Sequence, residues 1–130
     1  MIAIDTNVLL RYLLSDDSKQ TAKARELIAA NTVLVTDIVL AETMWVLQGR
    51  RYRVSRSDLA SVLAALIEDA CIYFEDAAVV WRAYQDFIST GADFQDALIM
   101  HKACALSTPA EMPFYTYDKR AAQLACAKLL

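Results

Sequence analysis

The sequence predicts an α/β fold in which helices flank a short, mostly parallel sheet. Short apolar runs alternate along the chain with longer segments whose apolar residues recur at helical spacing. Only 2 glycines and 2 prolines occur, so long stretches are free of helix breakers. Because parallel neighbours need a crossover segment, strands that alternate with helices favour a parallel sheet.

Each element follows from its own pattern of apolar residues and caps. Apolar runs place strands at residues 1–4, 33–35, 71–74 and 114–116. Helical periodicity places helices at about residues 8–14, 18–30, 38–51, 55–69 and 76–90, and further helices after Asp93 and Asp118. The expected N-caps are Asp5-Thr6-Asn7, Asp17 or Ser18, Ser55 or Ser57, and Asp93. Gly91 can end its helix in a left-handed conformation, and both prolines lie in a loop at residues 107–113.

Length and composition indicate one compact domain spanning residues 1–130. Hydrophobic residues make up 57% of the chain and charged residues 22%, which excludes disorder. No apolar run is long enough for a membrane span, and Asp5 interrupts the region where a signal peptide would begin, so we expect a cytoplasmic protein. The cysteines are odd in number and widely spaced, which favours reduced thiols.

The charge distribution leaves two interpretations of the basic residues. The formal net charge is −3, although binding to nucleic acid depends on Lys and Arg. Four of the 13 basic residues fall close together, at Arg50, Arg51, Arg53 and Arg56. They either stabilise the end of a helix and face solvent, or contact RNA or a protein partner. Arg11 in the first helix is a further candidate for such a contact.

Acidic residues supply the candidate site. Asp5 and Asp118 each follow a predicted strand, at the carboxyl edge where parallel sheets bind ligands, although capping explains them equally well. Asp93 and Asp96 have the spacing of a capping box. Glu42 lies beyond the first turn of its helix, among apolar residues, and capping does not explain it. We therefore expect Glu42 and Asp96 to face inward.

Several carboxylates buried together repel one another and need a positive partner. Hard divalent cations meet that need with oxygen ligands, so the set predicts Mg²⁺ or Mn²⁺ rather than Zn²⁺. Such a cation suits phosphodiester hydrolysis by activated water. Thr6 and Thr116 are candidates for supporting hydrogen bonds, and His101 is interpreted as a packing or surface residue.

Four segments together resemble the PIN-domain family, and within it the VapC-type toxins of toxin–antitoxin modules. They are IDTNVLLRYL at residues 4–13, LAE at 40–42, ADFQDALI at 92–99 and TYDK at 116–119. The resemblance implies a three-layer α/β/α sandwich with a central sheet of four to five strands. It also implies an endoribonuclease dependent on Mg²⁺ or Mn²⁺, in which Asp5, Glu42, Asp96 and Asp118 form the catalytic, metal-binding pocket.

The same resemblance extends to supporting residues and partners. It assigns Thr6 a supporting role and Asp93 an outer position near the pocket. It also implies a homodimer, an antitoxin protein as partner, and cleavage of tRNA or ribosomal RNA that slows translation. Similar proteins usually close with a short strand after the last helix, whereas this chain stops at Ala127-Lys128-Leu129-Leu130, so we expect that edge strand to be missing or shortened.

Two alternatives remain at this point. One is a PIN-like module that binds RNA or protein without catalysis. The other is a receiver-type signalling domain, which would need adjacent acids after the first strand and a phospho-accepting Asp after a central strand. The chain has Asp5-Thr6-Asn7 at the first position and only Phe74-Glu75-Asp76 near the second, so these requirements are poorly met.

Overall fold

The α/β class is confirmed by a computed structural model that describes residues 1–107 and 112–130. The α-helices are α1 (Thr6–Leu13), α2 (Ser18–Ala29), α3 (Asp37–Gln48), α4 (Arg56–Glu68), α5 (Ala77–Ser89) and α6 (Phe94–Ala105). The strands are β1 (Ile2–Ala3), β2 (Val33–Val35), β3 (Ile72–Phe74), β4 (Phe114–Thr116) and β5 (Ala127–Leu129). None of the helices in these ranges combines the length and the apolar character that a membrane crossing requires. Part of the predicted loop at 107–113 lies outside the described residues.

The chain divides into two compact units, Met1–Glu75 and Asp76–Leu130. In the first unit, β1, β2 and β3 form a parallel sheet with β2 in the centre. Ile2 pairs with Val33, and Val35 pairs with Phe74. Helix α1 packs against α2 and α3. Val33 and Val35 point to the same face of this sheet and are fully buried, whereas Leu34 between them is half-buried. The apolar run predicted a buried strand here.

The second unit is built on the packing of α5 against α6. Phe87 of α5 meets Phe94 of α6 edge to face, with ring centroids 6.4 Å apart. Strands β4 and β5 pair in parallel, with Phe114 opposite Ala127. The strands therefore divide into a sheet of three and a sheet of two, each parallel, within the part of the chain described.

Side-chain caps start most of these helices as the sequence predicted. The carboxylate of Asp5 accepts a hydrogen bond from the backbone N–H of Val8, and that of Asp17 accepts one from Gln20. The hydroxyl of Ser55 accepts from Asp58 in the same way. Each cap satisfies a backbone donor that the helix leaves free, which contributes about 1 kcal/mol.

Gly91 does not adopt the predicted left-handed conformation. No glycine in the described ranges has a positive φ. Thr90 is the C-cap of α5, and its hydroxyl donates to the carbonyl of Asp86 over 2.7 Å. Gly91 donates its N–H to Oε1 of Gln123 over 2.7 Å, and a Cβ at Gly91 would lie 3.1 Å from that side chain. The glycine therefore permits this close approach.

The C-terminal segment differs from the prediction in two respects. A single 3₁₀ turn, Ala121–Gln123, replaces the predicted final helix. The closing edge strand is present, because Ala127–Leu129 forms β5 beside β4. Backbone hydrogen bonds from Phe114 N–H to the Cys126 carbonyl and from Leu130 N–H to the Thr116 carbonyl hold this pair. The short turn leaves enough chain for the strand that the sequence alone had suggested was missing.

Candidate active site

Three carboxylates of the second unit lie close enough to influence one another. Asp93 occupies the N-cap position of α6, Asp96 lies in the first turn of that helix, and Asp118 follows β4. Burial raises the pKa of Asp96, and the negative charges of Asp118 and Asp93 raise it further. The positive charge of Arg120 acts in the opposite direction. Negative charge is therefore concentrated around Asp96, which is itself half-buried.

Asp118 is held by a turn that begins at the end of β4. Its Oδ1 accepts hydrogen bonds from the backbone N–H groups of Arg120 at 2.7 Å and Ala121 at 3.3 Å. Its own N–H donates to Oγ1 of Thr116 over 3.0 Å. Thr116 therefore orients the backbone of Asp118, and its supporting role in a site stays a prediction. The side chain of Asp118 remains exposed.

Asp93 does not cap α6 with its side chain, contrary to the sequence-based prediction. It has the extended backbone of an N-cap, but its carboxylate makes no capping hydrogen bond. Its Oδ2 instead lies 3.9 Å from Nη2 of Arg120. The cluster of Asp93, Asp96 and Asp118 therefore has one positive side chain beside it, that of Arg120. Sequence reasoning missed Arg120 because Arg120 and Asp93 are far apart along the chain, and spacing does not show that their side chains meet.

In the first unit, Asp5 serves as a cap and remains accessible. Its Oδ1 accepts the hydrogen bond from Val8 N–H at 3.0 Å, while the residue as a whole is exposed at the carboxyl end of β1. Thr6, the first residue of α1, is 8% exposed. The cap fixes the carboxylate at the start of α1, so a capping role and a catalytic role are compatible.

Glu42 is exposed, and the expectation that it faces inward is wrong. Ile38 and Trp45 lie on the same side of α3 and are themselves 77% and 68% exposed. Helical periodicity identifies residues that share a face, but not whether anything covers that face. The apolar surroundings of Glu42 are therefore a surface of α3.

Two further acids of the first unit were not selected from the sequence. Asp37, the first residue of α3, is 5% exposed, and its backbone N–H donates to Oε1 of Glu75 over 2.9 Å. Asp37 follows β2 and Glu75 follows β3, which are neighbouring parallel strands. The rule that selected Asp5 after β1 would have selected both, since all three lie beyond the carboxyl ends of strands.

Within residues 1–107 and 112–130, no three His, Cys, Asp or Glu side chains are arranged to hold a metal ion. The predicted pocket of Asp5, Glu42, Asp96 and Asp118 stays a prediction, with the first two residues in one unit and the last two in the other. The chemistry of the Asp93, Asp96 and Asp118 cluster nevertheless suits a hard divalent cation, because its donors are carboxylate oxygens whose mutual repulsion a cation would relieve.

The structure gives His101 a packing role, consistent with its interpretation from the sequence. Its Nε2 lies 2.5 Å from Oδ2 of Asp86, which joins α6 to α5. The side chain is 18% exposed. His101 is therefore engaged between two helices of the second unit.

In α/β folds, ligands bind beyond the carboxyl ends of parallel strands, and carboxylates placed there can hold a hard divalent cation. The sequence matches the PIN domain family over residues 2–125, and the chain belongs to that family. PIN domains are generally nucleases that use divalent metal ions, which favours a hydrolase over a receiver domain. No curated protein and no solved structure matches the chain significantly.

Proposed function

We propose that this PIN domain is an endoribonuclease dependent on Mg²⁺ or Mn²⁺. It would act in the cytoplasm as the toxin of a VapBC-type module, cleaving tRNA or ribosomal RNA to inhibit translation. Family membership supports the nuclease activity. The observation that carries the catalytic assignment is the cluster of Asp93, Asp96 and Asp118 in the second unit, where burial and then the charges of Asp118 and Asp93 raise the pKa of Asp96.

In this proposal, the activity depends on Asp5, Glu42, Asp96 and Asp118 as catalytic and metal-binding residues, and both units form one nuclease domain. Thr6, Asp93 and Thr116 support them. Bound Mg²⁺ or Mn²⁺ would supply Lewis-acid stabilisation of the charge that develops on the scissile phosphate. The turn at residues 118–121 keeps the carboxylate of Asp118 in one orientation through two backbone N–H donors.

Cleavage of structured RNA by the purified chain tests this proposal. Activity should require Mg²⁺ or Mn²⁺ and disappear with EDTA. Asp96→Asn should reduce the cleavage rate by at least about 100-fold, because it removes a charged metal ligand. Asp58→Asn is the matched control, since Asp58 also lies in the first turn of its helix, α4, but outside the proposed site.

Circular dichroism should show that both variants remain folded. Equal cleavage by Asp96→Asn and Asp58→Asn would overturn the catalytic assignment. RNA binding without cleavage under any divalent ion would favour the alternative, a PIN-like module that binds RNA without catalysis.

The toxin role is tested by expression. We expect induction of the chain alone to arrest growth, and Asp96→Asn to relieve the arrest; normal growth with abundant active enzyme would argue against a toxin. An antitoxin protein and a homodimer are part of the proposal, and exposed apolar residues on α3 such as Ile38 and Trp45 are consistent with protein contacts. Sedimentation of the purified chain would test the dimer.

The four clustered arginines are candidates for RNA or antitoxin contact. Helix α3 ends at Gln48, so Arg50 and Arg51 follow it, and all four residues are exposed. Arg11 is only partly exposed and pairs with Asp16, and Arg51 lies 3.9 Å from the same carboxylate. Replacing the cluster (Arg50, Arg51, Arg53 and Arg56) with Gln should weaken binding and flatten its dependence on salt concentration. Unchanged affinity for both partners would leave the cluster as a solvated surface.

A further inference from the structure

A cavity of about 330 Å³ lies in the first unit, between α1 and α2. Asp5 forms part of its wall, and every residue that lines it belongs to that unit. The volume is near the lower end of the range for sites that bind small molecules, which suits a group the size of one nucleotide. The cavity therefore adjoins one of the proposed catalytic acids without depending on the others.

The lining combines an apolar surface with polar side chains. Val8, Ala24 and Leu27 supply the apolar part. Asn7 and Gln20 supply two amides, each of which can donate and accept hydrogen bonds. Apolar side chains against the face of a base, with polar groups that hydrogen-bond its edge, are one way in which proteins hold an unstacked nucleobase.

Two basic side chains also line the cavity, and they differ in availability. Arg11 is hydrogen-bonded to Asp16, which compensates its charge. Lys23 is exposed, and its ammonium has no hydrogen bond or ion pair with the residues that the structure describes. Lys23 is therefore the cation of this cavity that can meet a phosphate at little cost.

We propose that this cavity binds the RNA nucleotide next to the bond that is cut. Lys23 contacts its phosphate, Asn7 and Gln20 contact the edge of its base, and the apolar wall contacts the base face. Asp5 lines this cavity and is also a proposed catalytic acid. RNA is favoured over a peptide because an RNA chain with one nucleotide in the cavity can continue to the proposed catalytic acids. This inference rests on the proposed ribonuclease function.

Equilibrium binding tests the role of Lys23. The probe is a short fluorescein-labelled single-stranded RNA that contains all four bases, measured by anisotropy in the Asp96→Asn background to prevent cleavage. Lys23→Gln should raise Kd on the order of tenfold. It should also reduce the slope of log Kd against log salt concentration by about 0.7, the loss of one phosphate contact. Lys19→Gln is the matched control, because Lys19 is exposed on the same helix and does not line the cavity.

The role of Gln20 is tested by sequencing the ends of cleaved RNA. Gln20→Ala, in the otherwise unchanged protein, should alter which base is found next to the cut, because the variant loses one group that reads the base edge. The side chain is exposed, so the substitution should leave the fold intact. An unchanged base preference at the cut would show that Gln20 does not determine which base is bound.

The outcomes separate this inference from the proposed function. RNA cleavage with equal RNA affinity of Lys23→Gln and Lys19→Gln would overturn the cavity assignment and leave the nuclease intact. RNA binding that Lys23→Gln weakens, without any cleavage by the unmodified chain, would support RNA binding at the cavity but overturn both the nuclease and the position of the nucleotide beside a cut bond. Loss of binding to a protein partner in Lys23→Gln, with RNA affinity unchanged, would assign the cavity to that partner and overturn this inference.

Discussion

The two units carry acidic residues in opposite electrostatic surroundings. In the first unit, Asp16 pairs with Arg11, and this contact lowers the pKa of Asp16. In the second unit, burial and the neighbouring acids Asp93 and Asp118 raise the pKa of Asp96. An aspartate therefore stabilises the first unit at Asp16, whereas the aspartate at Asp96 is destabilising in the second unit.

In the proposed enzyme both regions supply catalytic carboxylates, and they differ in the groups that surround those carboxylates. The region around α1 and α2 places Asp5 beside amides and Lys23, which suits binding of substrate. The region around the start of α6 brings together acids that only a cation would neutralise fully, which suits catalysis with metal. A region that stores like charges gives up stability for this purpose.

The largest expected effects test whether the two units unfold as one domain. Leu63 and Leu98 are buried in the first and second unit, at 0% and 3% exposure. Leu63→Ala and Leu98→Ala should each lower the free energy of unfolding by about 2–5 kcal/mol, because each leaves a cavity in a packed region. In urea titrations followed by fluorescence and circular dichroism, both variants should shift a single transition. Two transitions, each moved by only one variant, would mean that the units are independent.

The second effect separates capping from catalysis at Asp5. Asp5→Asn should reduce RNA cleavage by at least about 100-fold while changing stability by only a few tenths of a kcal/mol, because Asn caps helices nearly as well as Asp. Asp17→Asn is the control, since Asp17 caps α2 with the same geometry. It should retain full cleavage activity. Equal activity of the two variants would reduce Asp5 to a cap.

The third effect concerns the stability of the acidic cluster without metal. Asp96→Asn should raise the free energy of unfolding by less than about 1 kcal/mol at neutral pH, because it removes a repelled charge that solvent partly screens. Added Mg²⁺ should raise the melting temperature of the unmodified chain but not that of Asp96→Asn. Destabilisation by Asp96→Asn, measured beside Asp58→Asn, would contradict the strain assigned to this cluster.

The smallest effect is a loss of stability on replacing Asp16 in the first unit, opposite to the gain expected for Asp96→Asn. Because contact with Arg11 lowers the folded-state pKa of Asp16, its contribution to stability is present above the ordinary pKa of Asp and is lost as pH falls through the lowered pKa. Asp16→Asn should therefore melt slightly below the unmodified chain at neutral pH, with the difference vanishing in acid. Calorimetry over that pH range would measure this, and a constant difference would argue against the Arg11 pair.

The accuracy of the sequence-based predictions varied with the range of the interactions involved. The strands at 33–35 and 114–116 and the caps at Asp5, Asp17 and Ser55 are set by neighbouring residues, and they are confirmed. The predicted left-handed conformation of Gly91 was wrong, and Gly91 instead hydrogen-bonds Gln123, which lies 32 positions away. The prediction that Glu42 faces inward was wrong as well, because helical periodicity does not show whether anything covers a helix face.

The sequence by itself determined the α/β class, the order of the elements and the family, because apolar periodicity, caps and short motifs are local properties of the chain. Only the tertiary structure decided the surroundings of each acid. It placed Arg120 beside Asp93, joined Asp16 to Arg11 and opened a cavity beside Asp5. Charge interactions fall off with distance through space, and separation along the chain does not report that distance.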